Sequence, residues 1–360
     1  MRILFALPGL HRFDRGAEVA LISVASELAK LGNEVKLIGS GNPRTGKPYS
    51  FLKAASISRK NFENFANFPP LRSDTAYEEL SFVPDLLRRY SPGDYDITVT
   101  CSYPFTNWVL RRPTLFRRPK HVFVTQNGDW PSTSNRSEYR FFGCDGLVCT
   151  NPDYFWRNEK RWNCALIPNG VDTHRFIPGK AERMKYGLKG DRPIVLMVSA
   201  LIETKRVREG IESVSKIPDL QLLVAGDGPL RDEIDRLGQT ALPGRFKRIS
   251  VAPEEMPALY QAADAFLHMS IEESFGNVFV EAMACGLPIV GHDTNRLRWI
   301  VGEDEYLTET TNIALVSDAI ERALREPLSK RSQRVQRAQK FSWESIGLRY
   351  RDFFDSLIAG

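Results

Sequence analysis

Two carboxylates near residue 280 have the spacing to hold an oxygen-rich ligand. In MSIEESFGNVFVEAMACGLPIV, residues 269 to 290, a polar stretch bearing Glu273 runs through Ser274, Phe275, Gly276 and Asn277 into a helical pattern that contains Glu281. The leading amides of such a helix, with the positive end of its dipole, suit a phosphate or an electron-rich sugar oxygen. Gly276 permits close backbone approach at that point. Helical side chains lean toward the N-terminus, so Glu281 can reach back and accept hydrogen bonds from a vicinal diol such as ribose. A solvated capping Glu273 and an ordinary helical Glu281 would give the same spacing.

The elements that must position these groups follow from hydrophobic periodicity. RILFAL is a buried parallel strand, GAEVALISVASELAKLG a helix ended by Gly32, and EVKLIGSG the next strand, which together make a βαβ unit. DITVTCS, HVFVTQN, GLVCTN and ALIPNG are further strands of the first half. Residues 41 to 75, rich in Asn, Phe and Pro, read as an irregular, mobile insertion that lines an acceptor site. After a break rich in Pro and Gly the alternation restarts with PIVLMVSAL, LQLLVAGDG, MPALYQAADAFLHMS and LPIVGHD. The expected fold is α/β, with two Rossmann-like doubly wound domains facing a cleft: ligands of open parallel sheets sit at the carboxyl ends of the strands.

Composition excludes several classes. At 360 residues, 42% hydrophobic and 26% charged, the chain has the make-up of a soluble two-domain protein. No apolar run reaches the roughly 18 residues of a membrane span, and Ile3 to Leu10 lacks a signal-peptide cleavage site, so a cytoplasmic location is expected. Five cysteines without a CxxC pair fit neither a disulfide framework nor structural zinc. Residues 1 to 170 hold 23 Lys and Arg against 16 Asp and Glu, a balance of +7, and the remainder is at −2. Much of the excess lies in WVLRRPTLFRRPK, where Trp108, Leu110 and Phe116 interleave with Arg111, Arg112, Arg117, Arg118 and Lys120. That composition suits anionic lipid or nucleic acid, or a plain solvated loop.

Several motifs are decoys. The DYD at Asp94 to Asp96 leads straight into a strand and is not a metal pair. GDGPLR, from Gly226, puts Arg231 where a dinucleotide fingerprint needs its third glycine, and no strand-helix unit around it repeats the rest of that fingerprint, so it reads as a turn near a donor base. His268 falls inside an apolar strand and reads as a core residue rather than an acid or base. No Ser, His and Asp set forms a hydrolase triad.

The segment from Glu273 to Val290 resembles the signature of the retaining glycosyltransferases of family 4, the group 1 glycosyltransferases of GT-B fold. IPNGVDTHRF, VAGDGPLRDEI, MPALYQAADAFLHMS and FSWESIGLRYRDFF are similar to further stations of that family, so the likeness spans nearly the whole chain. It implies an acceptor-binding domain over 1–175, with 342–360 crossing back onto it, and a donor-binding domain over 176–341. The reaction it implies is transfer from a UDP-, GDP- or other nucleotide-diphosphate sugar to a glycan or lipid-linked hydroxyl, with no obligatory cofactor, metal or nucleic-acid partner. A peripheral contact with the inner membrane face accompanies a lipid-linked acceptor.

By the same resemblance Glu281 binds the donor ribose, Glu273 contacts the transferred sugar, and the backbone of Ser274, Phe275, Gly276 and Asn277 holds sugar hydroxyls and diphosphate. Lys205 grips the diphosphate and, with Glu273, serves catalysis. The family's arginine partner of that lysine is Ala200 here, and Arg206 is the candidate substitute. A double glycine of the family is Arg15 and Gly16 here; Gly16 keeps the close approach to the donor phosphate, and Arg15 adds charge or faces solvent. The family's histidine beside the reacting sugar is Asn127, which cannot carry a proton but can bind a hydroxyl. A sugar-nucleotide 2-epimerase of the same fold, or a non-catalytic nucleotide-sugar binder, are the alternatives; Ala200 and Asn127 point toward the second.

Overall fold

Short apolar runs alternating with amphipathic helices build two parallel sheets, seen in a computed structural model that describes residues 1–112, 118–180 and 183–360. In the first sheet the strands are β1 (Arg2–Ala6), β2 (Glu34–Gly39), β3 (Ser50–Lys53), β4 (Ile97–Thr100), β5 (Lys120–Val124), β6 (Gly146–Cys149) and β7 (Cys164–Leu166), in the order β3-β2-β1-β4-β5-β6-β7. The second contains β8 (Ile194–Val198), β9 (Gln221–Ala225), β10 (Phe246–Ile249), β11 (Ala265–His268), β12 (Ile289–His292) and β13 (Tyr306–Thr308), in the order β10-β9-β8-β11-β12-β13. The chain divides into two compact units, Met1–Asn169 with Trp343–Gly360, and Gly170–Ser342.

Both sheets are covered on both faces, which is why inner strands such as β1 and β8 carry apolar residues toward both. In β1, Ile3 and Phe5 join a core with Leu21, Val24 and Leu28 of helix Gly16–Lys30, whereas Leu4 and Ala6 pack with Phe82 and Leu86 of helix Asp74–Arg89. In β8, Val195 and Met197 face one core and Ile194 and Leu196 the other. The last helix, Trp343–Ala359, returns to the first unit and packs on Gly16–Lys30 through Trp343, Ile346, Tyr350 and Phe354. Gly347 makes that approach possible, since a Cβ there would come within 2.6 Å of the Cβ of Glu27.

Two expectations need correction. Residues 41 to 75 are not wholly irregular: Ser50–Lys53 forms β3 and extends the first sheet in parallel with β2. GDGPLR does lie between a strand, β9, and a helix, Arg231–Ala241. Its glycines answer to packing: a Cβ on Gly226 would come within 1.9 Å of the Ser199 carbonyl oxygen, and one on Gly228 within 2.6 Å of that of Leu201.

Candidate active site

In each sheet the strand order reverses once, between β1 and β4 in the first unit and between β8 and β11 in the second. At such a switch point neighbouring loops leave in opposite directions and open a crevice at the carboxyl ends of the strands.

In the second unit the loops after β8 and β11 meet there. A single turn, Glu203–Lys205, brings Lys205 into an ion pair with Glu273, whose Oε1 also lies 2.8 Å from His268 Nε2. Burial by itself pushes the Glu273 carboxyl up, but the His268 hydrogen bond and the charges of His268 and Lys205 outweigh it and hold it at about 2. From the first turn of helix Asn295–Val301, which follows β12, Arg296 donates to the Glu273 main-chain carbonyl. Gly276 adopts φ +81° and begins helix Asn277–Ala284; a Cβ there would meet the Phe279 ring at 2.6 Å. Ser274 and Asn277 are half-buried beside it, whereas the Phe275 side chain is buried in the core against Phe341 and can offer a ligand only its backbone.

Glu281 lies one turn into that helix and accepts a hydrogen bond of 2.7 Å from the buried Tyr260 hydroxyl. Burial raises its pKa, with the Tyr260 bond and the Arg175 charge opposing. Arg206 does not join Lys205. Its backbone is left-handed, φ 51°, and its guanidinium turns to Glu209 at 3.0 Å and to the Thr310 hydroxyl and carbonyl at 3.2 and 3.1 Å. Ala200 is exposed.

In the first unit, Gly16 is the exposed first residue of its helix and Arg15 the residue before it. Arg15 is half-buried and paired: it lies 3.5 Å from buried Glu18, 3.9 Å from Glu78, and over the Phe13 ring. Asn127 is exposed on the loop after β5 and lines a cavity of about 40 Å³ with Glu79, Ser102, Tyr103, Gly128 and Trp130. Glu79 is buried and accepts from the Thr106 N–H at 3.1 Å. Burial outweighs its hydrogen bonds to Thr106, Ser102 and Phe105 and lifts it to about 7.

His268, Arg296 and Glu79 were not among the expected site residues. His268 is a buried residue, as expected, but one whose imidazole serves Glu273; its signal is its place as the last residue of β11, where side chains meet the crevice. Asp96 accepts from the Arg2 backbone and guanidinium at the start of β4, the opposite end of the sheet from the crevice. Among the described residues no group of three or more His, Cys, Asp or Glu is placed to hold a metal. In the basic segment Arg111 donates to the Phe141 carbonyl, Arg112 to that of Tyr90, and Arg118 pairs with Asp145. Phe116 and Arg117 lie outside the described residues. No helix among the described residues is long and apolar enough to cross a membrane.

Comparison with known proteins yields matches along the whole chain. Residues 15–175 match the family description Glycosyltransferase Family 4, and residues 179–341 match Glycosyl transferases group 1. The lipopolysaccharide core biosynthesis glycosyltransferase LpsE of Rhizobium meliloti is 28% identical over 92% of this chain and 94% of its own. The N-acetyl-alpha-D-glucosaminyl L-malate synthase of Bacillus anthracis is 25% identical over 84% and 83%. Among solved structures, sucrose-phosphate synthase of Thermosynechococcus elongatus superposes with a TM-score of 0.81 at 22% identity, covering 99% of each chain. HepE of Anabaena, in complex with UDP and glucose, gives 0.72 at 18%, covering 99% of this chain and all of its own.

Proposed function

The chain belongs to the group 1 glycosyltransferases, and from that premise we propose that it moves the sugar of a nucleotide-diphosphate donor to a glycan or lipid-linked hydroxyl with retention of anomeric configuration. Its fold is GT-B and its activity is glycosyl transfer from nucleotide sugars. The observation that carries the finer reading is the cluster of Lys205, Glu273 and His268 at the switch point of the second unit.

A retaining transfer with attack on the face the diphosphate leaves needs stabilisation of negative charge on the departing phosphate. Lys205 and the backbone at Ser274 to Asn277 supply it by fixed electrostatics. Glu273, held ionised, accepts hydrogen bonds from the transferred sugar, and Glu281 accepts them from the donor ribose. Gly16 leaves room for a phosphate at the start of its helix, and Asn127 binds a sugar hydroxyl. The leaving phosphate takes the acceptor's proton. LpsE acts in lipopolysaccharide core biosynthesis, which supports a lipid-linked acceptor here and a peripheral membrane contact; flotation with anionic liposomes tests that contact, and absence of binding removes it.

A panel of UDP- and GDP-sugars with monosaccharide and lipid-linked acceptors tests the reaction. The expected product keeps the donor's anomeric configuration by NMR, and an inverted product refutes retention. A new sugar nucleotide formed without acceptor would instead identify an epimerase. Lys205→Ala and Glu281→Ala should each lower the rate about a hundredfold. Near-normal turnover in both would contradict the site.

A further inference from the structure

We propose that Trp130 is a platform on which the acceptor stacks, so that the hydroxyl to be glycosylated belongs to a sugar ring. The inference rests on the glycosyltransferase reading and deepens it: it names the acceptor's chemical class and a residue of the first unit that selects it.

A pyranose is apolar on the faces where its C–H bonds project and polar around its rim. A site for one joins an aromatic face to a few converging polar groups. The residues that follow β4 and β5 bring both together. Trp130 is 39% exposed, whereas Tyr103, against which it packs, is 5% exposed. Its side of the loop lines the cavity of about 40 Å³ that Ser102, Asn127 and Glu79 also line. That volume suits a hydroxyl or a water but not a ring, so a sugar rests outside it, on the indole, and points one hydroxyl in. Phe141 and Trp156 are more exposed than Trp130, but neither lines this cavity.

The indole is held in place before any ligand arrives. Its ring lies 4.9 Å from that of Tyr139, tilted by 55°, and meets Tyr103 edge-on at 5.8 Å. Gly128 has φ +114°, and a Cβ on it would come within 3.1 Å of Trp130 Cδ1. Between the two, Asp129 turns inward and is buried. Arg157 donates to both of its carboxylate oxygens, at 2.8 and 3.0 Å, Asn158 Nδ2 donates at 2.9 Å, and its main-chain carbonyl accepts from Ser132 Oγ at 2.7 Å. Asp129 thus anchors the loop from behind while Asn127 and Trp130 are displayed. A fixed aromatic plate loses little freedom on binding. Any apolar side chain could cover Tyr103 and Tyr139; a cover has no need of a polar recess beside it with a carboxyl at its wall.

The test uses the full chain with whichever UDP- or GDP-sugar it hydrolyses fastest without acceptor. The ring acceptors are the methyl pyranosides of glucose, galactose, mannose and N-acetylglucosamine; the open-chain ones are glycerol and sorbitol. The wild type should transfer to at least one pyranoside and prefer it to sorbitol about tenfold or more in kcat/KM. Trp130→Ala should raise KM for that pyranoside about fivefold or more and leave donor KM within about twofold, and Trp130→Phe should recover most of the loss. A smaller rise in acceptor KM, a preference for sorbitol or glycerol, or equal rises in acceptor and donor KM would each overturn the proposal, the last by showing that Trp130 only props the fold. No transfer to any pyranoside while the donor is still hydrolysed also overturns it, and leaves the glycosyltransferase reading standing; no turnover of any donor overturns both. Should Trp130→Ala fail to fold, Trp130→Leu decides, since it keeps apolar bulk without an aromatic face: acceptor KM near wild type refutes stacking, and the rise expected of alanine supports it.

Discussion

Each unit places a glutamate at the carboxyl ends of the strands that flank its switch point, yet the pKa values of the two carboxyls are shifted in opposite directions. Glu273 meets an ammonium and an imidazole and stays ionised down to about 2. Glu79 accepts from neutral donors, the Thr106 amide and the Ser102 hydroxyl among them, and burial lifts it to about 7. Sheet topology provides the place for a polar group, and its immediate partners decide whether that group is a fixed charge or a proton-exchanging one. The linkage to stability has opposite signs. Glu273, with a depressed pKa, stabilises the fold above its unfolded value near 4.5, and that support is lost as the pH falls through about 2. Glu79, with a raised pKa, costs stability progressively as the pH rises from about 4.5 to about 7.

The largest effect should come from taking the fixed charge away. Glu273→Gln keeps shape but leaves Lys205 and His268 without their shared anion, and kcat should fall about 10² to 10³-fold with a smaller change in donor KM. Steady-state kinetics with the preferred donor measures it. Activity within threefold of wild type would break the comparison, because an ionised carboxylate would then have no task at that switch point.

The counterpart in the first unit is a change in stability with pH. Glu79→Gln removes the ionisation that burial opposes, so the variant should equal the wild type near pH 4 and exceed it by ~3 kcal/mol near pH 8, from a shift of about 2.5 pH units. Urea unfolding followed by tryptophan fluorescence is suited to it, since five of the six tryptophans belong to the first unit. A constant difference across pH 5 to 8 would show that Glu79 does not titrate in the folded state.

The sequence was most legible where burial is complete. The interior strands β1, β2, β4, β5, β6, β8, β9, β11 and β12 are legible as short segments dominated by apolar residues, because both of their faces are covered. Three of the four edge strands, β3, β10 and β13, were not visible in it. SFLK, FKRI and YLT are short and partly exposed, and the first two carry Lys53, Lys247 and Arg248, the chemistry that keeps edges from pairing with other chains. The site divides the same way. Glu273, Glu281 and Gly276 share one contiguous segment, whereas Arg296 reaches it from the helix after the neighbouring strand β12. Adjacency in sequence pointed to Arg206, but its left-handed backbone sends the side chain to Thr310. Glu79 lies on helix Asp74–Arg89, which carries no motif to mark it.

Glu281 separates the influence of the unit from that of the partners, since it belongs to the second unit but has the surroundings of Glu79: burial raises it, and the neutral hydroxyl of Tyr260 donates to its side chain. Tyr260→Phe deletes that hydroxyl and keeps the ring in the core. The bond lowers the Glu281 pKa, so its loss raises the pKa further, with the Arg175 charge still opposing. A protonated Glu281 accepts hydroxyl hydrogen bonds less well, so donor KM should rise as the pH falls, and should begin to rise at a higher pH in the variant. The separation is small, about fivefold in KM at the acid end and less near pH 8, as expected for one hydrogen bond. Donor KM measured in both proteins from pH 4.5, the ordinary carboxyl value, upward to 8.5 resolves it. Superimposable profiles would mean that Tyr260 does not set the charge of Glu281, and that the contrast between the two units reflects position in the fold rather than the partner each carboxyl finds.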